Sequence, residues 1–152
     1  MIAPTTFGTL FASIAIALPT SNLLPRAGGP AIVPIPSNCA VTNPMEATTL
    51  GTAFLPASAT EDVALYSAYY PSNSANTTQM AEQCSQQCYG YGDHTECKAS
   101  FWAENVEIPE GRLGAGQLST ACLLYKRALT DFDFTPAPEG EGTSAYTRNI
   151  AC

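Results

Sequence analysis

Apolar and polar positions change their period several times along this chain. From Thr78 to Tyr89 the order Thr78-Gln79-Met80-Ala81-Glu82-Gln83-Cys84-Ser85-Gln86-Gln87-Cys88-Tyr89 places Met80, Cys84 and Cys88 one turn apart, which predicts a short helix. Thr77 or Thr78 serves as its cap, Glu82 suits its early dipole, and Gly90 ends it. Lys98 to Glu104 alternates instead, with Cys97, Ala99, Phe101 and Ala103 on one side and Lys98, Ser100, Trp102 and Glu104 on the other. A second strand is read over Ala121-Cys122-Leu123-Leu124-Tyr125-Lys126, after the Gly-rich connection from Gly111 to Gly116. Ser58-Ala59-Thr60-Glu61 has capping-box form before Val63, and Pro71 would end a helix there, yet Val63 to Tyr70 is also rich in strand formers, so the residues alone admit either element.

The cysteines limit how these elements meet. The six are Cys39, Cys84, Cys88, Cys97, Cys122 and Cys152, an even set that admits fifteen pairings. Thiols at i and i+4 of a helix project in parallel and bond poorly to each other, so Cys84 and Cys88 each need a partner on the surface the helix covers. That surface should be a sheet. If Cys97 and Cys122 face the helix, each takes one helical cysteine, and the opposite face carries Trp102, Leu123 and Tyr125. The expected fold is therefore α+β: one short helix on a small antiparallel sheet, stapled by three disulfides. Zinc is disfavoured, because no paired CxxC occurs and His94 is the lone histidine. No metal or other cofactor is expected.

Composition places that fold outside the cell. Only 12% of the 152 residues are charged, about half the usual share, and Ser, Thr, Ala, Pro and Gly fill the polar positions. A net charge of -7 with six scattered Lys and Arg disfavours nucleic acid and anionic membranes. The uncharged run Leu10 to Leu18, with Ala15-Ile16-Ala17, reads as an export signal cleaved after Ala17, though Met1 to Thr6 has no Lys or Arg. Pro19 and the short run argue against a membrane span. The expected organisation is a signal peptide over residues 1–17, an irregular Pro/Gly-rich leader over 18–38, where Arg26 is a minor candidate for trimming, and one domain over 39–152. Asn76-Thr77-Thr78 is an N-glycosylation sequon in a polar turn, so Asn76 is expected to carry a glycan.

The helix motif Glu82-Gln83-Cys84-Ser85-Gln86-Gln87-Cys88, the strands Cys97-Lys98-Ala99-Ser100-Phe101 and Cys122-Leu123-Leu124-Tyr125, and the flanking Cys39 and Cys152 occur in one order. In this the chain resembles the PAN/apple domain, in the divergent form of secreted fungal proteins. The resemblance runs from Cys39 to Cys152 and is densest from Met80 to Lys126. It implies the pairings Cys39 with Cys152, Cys84 with Cys122, and Cys88 with Cys97, and it favours a strand over Val63 to Tyr70. It also implies a binding module that recognises an extracellular protein or carbohydrate through its sheet and loops without performing chemistry. Trp102, Tyr125 and Leu123 are the candidate contact residues, provided that face is not covered by other parts of the chain.

Signs of catalysis are sparse. His94, between Asp93 and Glu96, reads as a solvated loop histidine, and Asp131, Asp133, Glu139 and Glu141 read as exposed loop acids without supporting ligands. No GxSxG, HExxH, phosphate loop or dinucleotide fingerprint is present. The competing expectations are a structural coat or cell-wall protein and a secreted effector or inhibitor.

Overall fold

The computed structural model describes residues 29–48, 51–71 and 75–152, so the expected signal peptide and Arg26 lie outside the described residues. The strands are β1 (Ala40–Thr42), β2 (Phe54–Pro56), β3 (Ala64–Tyr70), β4 (Ala99–Glu107), β5 (Leu118–Tyr125), β6 (Phe134–Pro136) and β7 (Thr143–Ala151), and the helix α1 spans Thr77–Tyr89. Five strands form an antiparallel sheet in the order β1-β7-β4-β5-β3, and β2 pairs with β6 in a separate two-stranded ribbon. The α+β expectation holds, with one helix on a small antiparallel sheet and three disulfides.

Helix α1 starts one residue before the expected first turn. Its cap is Asn76, not Thr77 or Thr78: the Asn76 Oδ1 accepts from the Gln79 N–H at 3.0 Å. Asn ranks above Thr as a cap, and this position satisfies a donor that the helix itself leaves without a partner. Met80, Ala81, Cys84, Ser85, Gln87 and Cys88 are its buried residues. Ser85 keeps its hydroxyl satisfied there by meeting the Ser100 hydroxyl at 3.0 Å. At the other end, the Gly90 N–H donates to the Gln86 carbonyl at 2.9 Å, and a β-carbon at Gly90 would collide with the Ala31 carbonyl. The irregular segment 29–38 thus lies against the end of the helix, with Ile35 packed into the same cluster.

The disulfides are Cys39–Cys152, Cys84–Cys122 and Cys88–Cys97, the pairing implied by the family resemblance. The two inner bridges tie α1 to β5 and to the segment entering β4. The outer one extends the β1–β7 ladder, where Ala40 lies opposite Ala151, by one further pair.

The strand faces differ from the sequence expectation in one consequential way. Trp102 pairs with Cys122 across β4 and β5, so both point toward the helix, while Phe101 pairs with Leu123 and Ala99 with Tyr125 on the opposite face. The expected exposure of Trp102 is therefore incorrect. Cys97 precedes β4, and the alternation of the strand does not extend back to it. Using Cys97 to set the phase put the β4 side chains on the wrong face, whereas Leu123 and Tyr125 lie opposite the helix-facing Cys122 as expected.

Both faces of the sheet are covered. On the helix side, Met80, Cys84, Cys88, Trp102, Cys122, Leu124 and Ile150 form one cluster. On the other, Phe54 from β2, Phe134 from β6 and Phe101 from β4 pack together, with the Phe54 and Phe134 rings edge to face at 5.2 Å. Met45, Leu129 and Ala145 complete that layer. The order of layers is helix, sheet, ribbon, the usual way a sheet with two apolar faces is buried.

Candidate binding cleft

β3 pairs with β5 on one side and forms one edge of the sheet. In an antiparallel ladder the N–H and C=O of a residue point the same way, toward the partner or away from it. The Ser67 carbonyl points outward, because Arg112 reaches it: one guanidinium nitrogen donates to this carbonyl at 3.3 Å, and another donates to the Ser67 Oγ at 2.7 Å. The guanidinium also lies over the Tyr69 ring, 5.5 Å from its centroid. An edge that would otherwise template another strand is thereby blunted by a charged side chain.

The connection between β4 and β5 positions Arg112. Its base is closed by the Ile108 N–H on the Gln117 carbonyl and the Gly116 N–H on the Ile108 carbonyl, each at 2.9 Å. Gly111 and Gly116 take the left-handed conformation, with φ of 82° and 79°, which brings the loop back over β3. The glycines that mark a connection in the sequence therefore also aim the arginine.

A cleft of about 540 Å³ opens beside this edge. Leu55, Tyr69 and Leu123 contribute its apolar surface, with Glu61, Glu107 and Arg112 as its charged groups, while the Tyr66 ring packs on the helix face of the sheet. Burial raises the pKa of Tyr69 above the ordinary tyrosine value; Arg112 opposes the rise and Glu61 adds to it. Tyr125 lines the inner wall and is buried; desolvation raises its pKa strongly, and its hydrogen bond with the Thr60 hydroxyl only partly offsets this. A smaller hollow of about 420 Å³ lies on the other side of Arg112, lined by Tyr66, Tyr70, Ile108 and Leu113. Leu113 is fully exposed at the tip of the loop.

A separate groove of about 470 Å³ runs between the segment 34–41, α1 and β7. Tyr146 and Arg148 line it, with Arg148 5.9 Å from the Tyr146 centroid, and the Thr78 and Tyr146 hydroxyls lie 3.5 Å apart at its rim. Asn76 is exposed two residues before that rim.

The residues singled out in the sequence are dispersed. Trp102 is 1% exposed, and its indole N–H donates to the Tyr70 hydroxyl at 3.2 Å, so its ring faces the core and not a partner. Tyr125 is buried as well, and Leu123 is half-buried in the cleft wall. His94 is exposed, stacked on Tyr89 at 4.7 Å, with its Nδ1 2.7 Å from the Tyr89 carbonyl. Asp131 is exposed, but Asp133 is not a free loop acid: Arg127 contacts it at 2.6 and 2.9 Å and holds its pKa down at about 2. The same carboxylate accepts from the Thr130 N–H, closing the capping box of the 3-10 turn Asp131–Asp133. Glu139 and Glu141 lie in the turn before β7, Glu139 exposed and Glu141 half-buried. Among the described residues no group of His, Cys, Asp and Glu could hold a metal ion, and no helix is long and apolar enough to cross a membrane.

Sequence reasoning missed Tyr69, Arg112, Glu61 and Glu107. The usable signal was a lone arginine inside the glycine-rich connection and three tyrosines in one strand. Neither suggests a cleft until β3 is known to be the edge. No protein-family model, curated protein or solved structure matches the chain.

Proposed function

We propose that the protein is a secreted, non-enzymatic binding module of PAN/apple-like kind, which holds an extracellular protein or carbohydrate partner at the β3 edge and its flanking loops. The observation that carries this reading is the cleft beside β3. There, half-buried Tyr69, two glutamates and an arginine that bonds to neutral acceptors meet in a concavity of about 540 Å³, within the range of about 300–1,000 Å³ usual for ligand sites. Three disulfides support export to an oxidising compartment. The nested cysteine pairs, together with one helix on an antiparallel sheet, support the PAN/apple reading.

Contact falls to Tyr69 and Arg112, with Leu123 in the wall, in place of the buried Trp102 and Tyr125. Tyrosine and arginine suit this task, because each offers a broad face and a directional hydrogen bond. The test is a screen of the purified, disulfide-bonded protein against an oligosaccharide array and a panel of extracellular proteins, run in parallel with Arg112→Ala. A partner held by the wild type and weakened about tenfold in the variant supports the reading. Absence of any partner, or equal binding by both proteins, contradicts it.

A further inference from the structure

We propose that the cleft beside β3 takes a neutral oligosaccharide, an inference that rests on the binding-module reading and narrows it to one ligand class. The argument begins with what the edge has already lost. Arg112 occupies the outward carbonyl of Ser67 and its hydroxyl, so an incoming peptide strand would meet a guanidinium where its first ladder bond should form. The hollow is instead bounded by side chains of mixed character. Glu61 and Glu107 are acceptors and Arg112 is a donor, while Tyr69 supplies an aromatic surface.

Those groups discriminate by charge. An acidic ligand would face two carboxylates on a chain of net charge -7, and a cationic one, though drawn by those carboxylates, would have to seat beside the Arg112 guanidinium. A wholly apolar ligand would desolvate three charges without replacing their hydrogen bonds. A neutral polyhydroxylated ring avoids all three penalties. Its hydroxyls donate to the glutamates and accept from the guanidinium, and its C–H face lies against the apolar wall of Leu55 and Leu123. Pro56, Val106 and Pro109 add apolar wall around these groups.

The experiment uses the intact, disulfide-bonded chain on an array of neutral cello-, laminari-, xylo-, manno- and chito-oligosaccharides, with oligogalacturonate and heparin fragments as acidic comparisons. The strongest neutral binder is then titrated by calorimetry against wild type, Arg112→Ala, Glu107→Gln and Glu82→Gln. Arg112 and Glu107 are exposed, so neither variant should compromise folding; each is expected to weaken binding about tenfold or more, as for loss of a charged hydrogen bond. Glu82→Gln, in the separate groove, should leave affinity unchanged. Preference for acidic fragments would overturn the inference, as would a neutral ligand indifferent to both cleft variants. If only a protein partner binds, and Arg112→Ala weakens it, the saccharide inference fails while the binding-module reading stands; if nothing binds, both fail.

Discussion

Trp102 lies directly opposite Cys122 in the register of β4 and β5, and both side chains meet the helix. The lone tryptophan therefore packs against the Cys84–Cys122 bridge region of the core, with its N–H satisfied by Tyr70. A large aromatic in this position links the helix, the sheet and the edge strand in one cluster.

The fluorescence of Trp102 should accordingly resist acrylamide in the folded protein and become quenchable once the chain is reduced and unfolded. Trp102→Ala should lower stability by about 3–5 kcal/mol, the usual cost of emptying a buried aromatic site. Ready quenching in the native state would contradict the face assignment.

Cys152→Ser should destabilise the chain more than most surface changes do. The outer bridge spans 113 residues, and opening a loop of this size is expected to cost about 2–5 kcal/mol. Thiol labelling should find Cys39 reactive, and non-reducing peptide mapping should still find Cys84 with Cys122 and Cys88 with Cys97. Scrambling of the inner pairs would show that the outer bridge is needed to set them.

Asp133 makes the stability of the β6 end sensitive to acid. Its carboxyl titrates at about 2 in the folded chain, below the ordinary value of 3.8, because Arg127 bonds to it. A depressed folded pKa means stability that is complete above the unfolded value and is lost as pH falls from about 4 toward 2. With the exposed arginine screened by solvent, the contribution is about 1 kcal/mol. Denaturant midpoints of wild type and Arg127→Ala should differ at pH 7 and converge near pH 2; a constant difference would reject the pairing as its source.

Asn76 combines two roles that substitutions can separate. Its Oδ1 caps the helix, whereas a glycan would attach through the side-chain nitrogen, so cap and glycan are compatible. Protein secreted from a glycosylating host should lose mass on amidase treatment, and the Asp left by that enzyme remains a good cap. Asn76→Ala should abolish the mass change and cost about 1 kcal/mol, whereas Asn76→Asp should abolish it at little cost in stability. An unchanged mass after amidase would show the sequon to be unused.

The helix and the cysteine pattern were legible because they are local: Met80, Cys84 and Cys88 recur at a helical period, and the family resemblance supplied the pairing. Val63 to Tyr70 was ambiguous between helix and strand on its residues, and the resemblance decided for the strand that forms over Ala64–Tyr70, with Ser58–Val63 a 3-10 turn before it. The ribbon was not legible, since β2 and β6 have three residues each and three residues carry no period. Without that ribbon, the sheet face bearing Tyr125 and Leu123 looked available to a partner. The cleft was hidden for a different reason. It depends on β3 being an edge and on Arg112 returning 45 residues later to reach Ser67, a relation set by long-range pairing.

Hydrogen exchange measured by mass spectrometry, with and without the strongest neutral oligosaccharide from the array, tests the central claim most directly. The β3-edge account predicts added protection in Ser67–Tyr70 and in the loop from Ile108 to Gln117, with the segment 34–41 and α1 unchanged. Protection confined to that second groove, with β3 and the Arg112 loop exchanging as in the free protein, would contradict it.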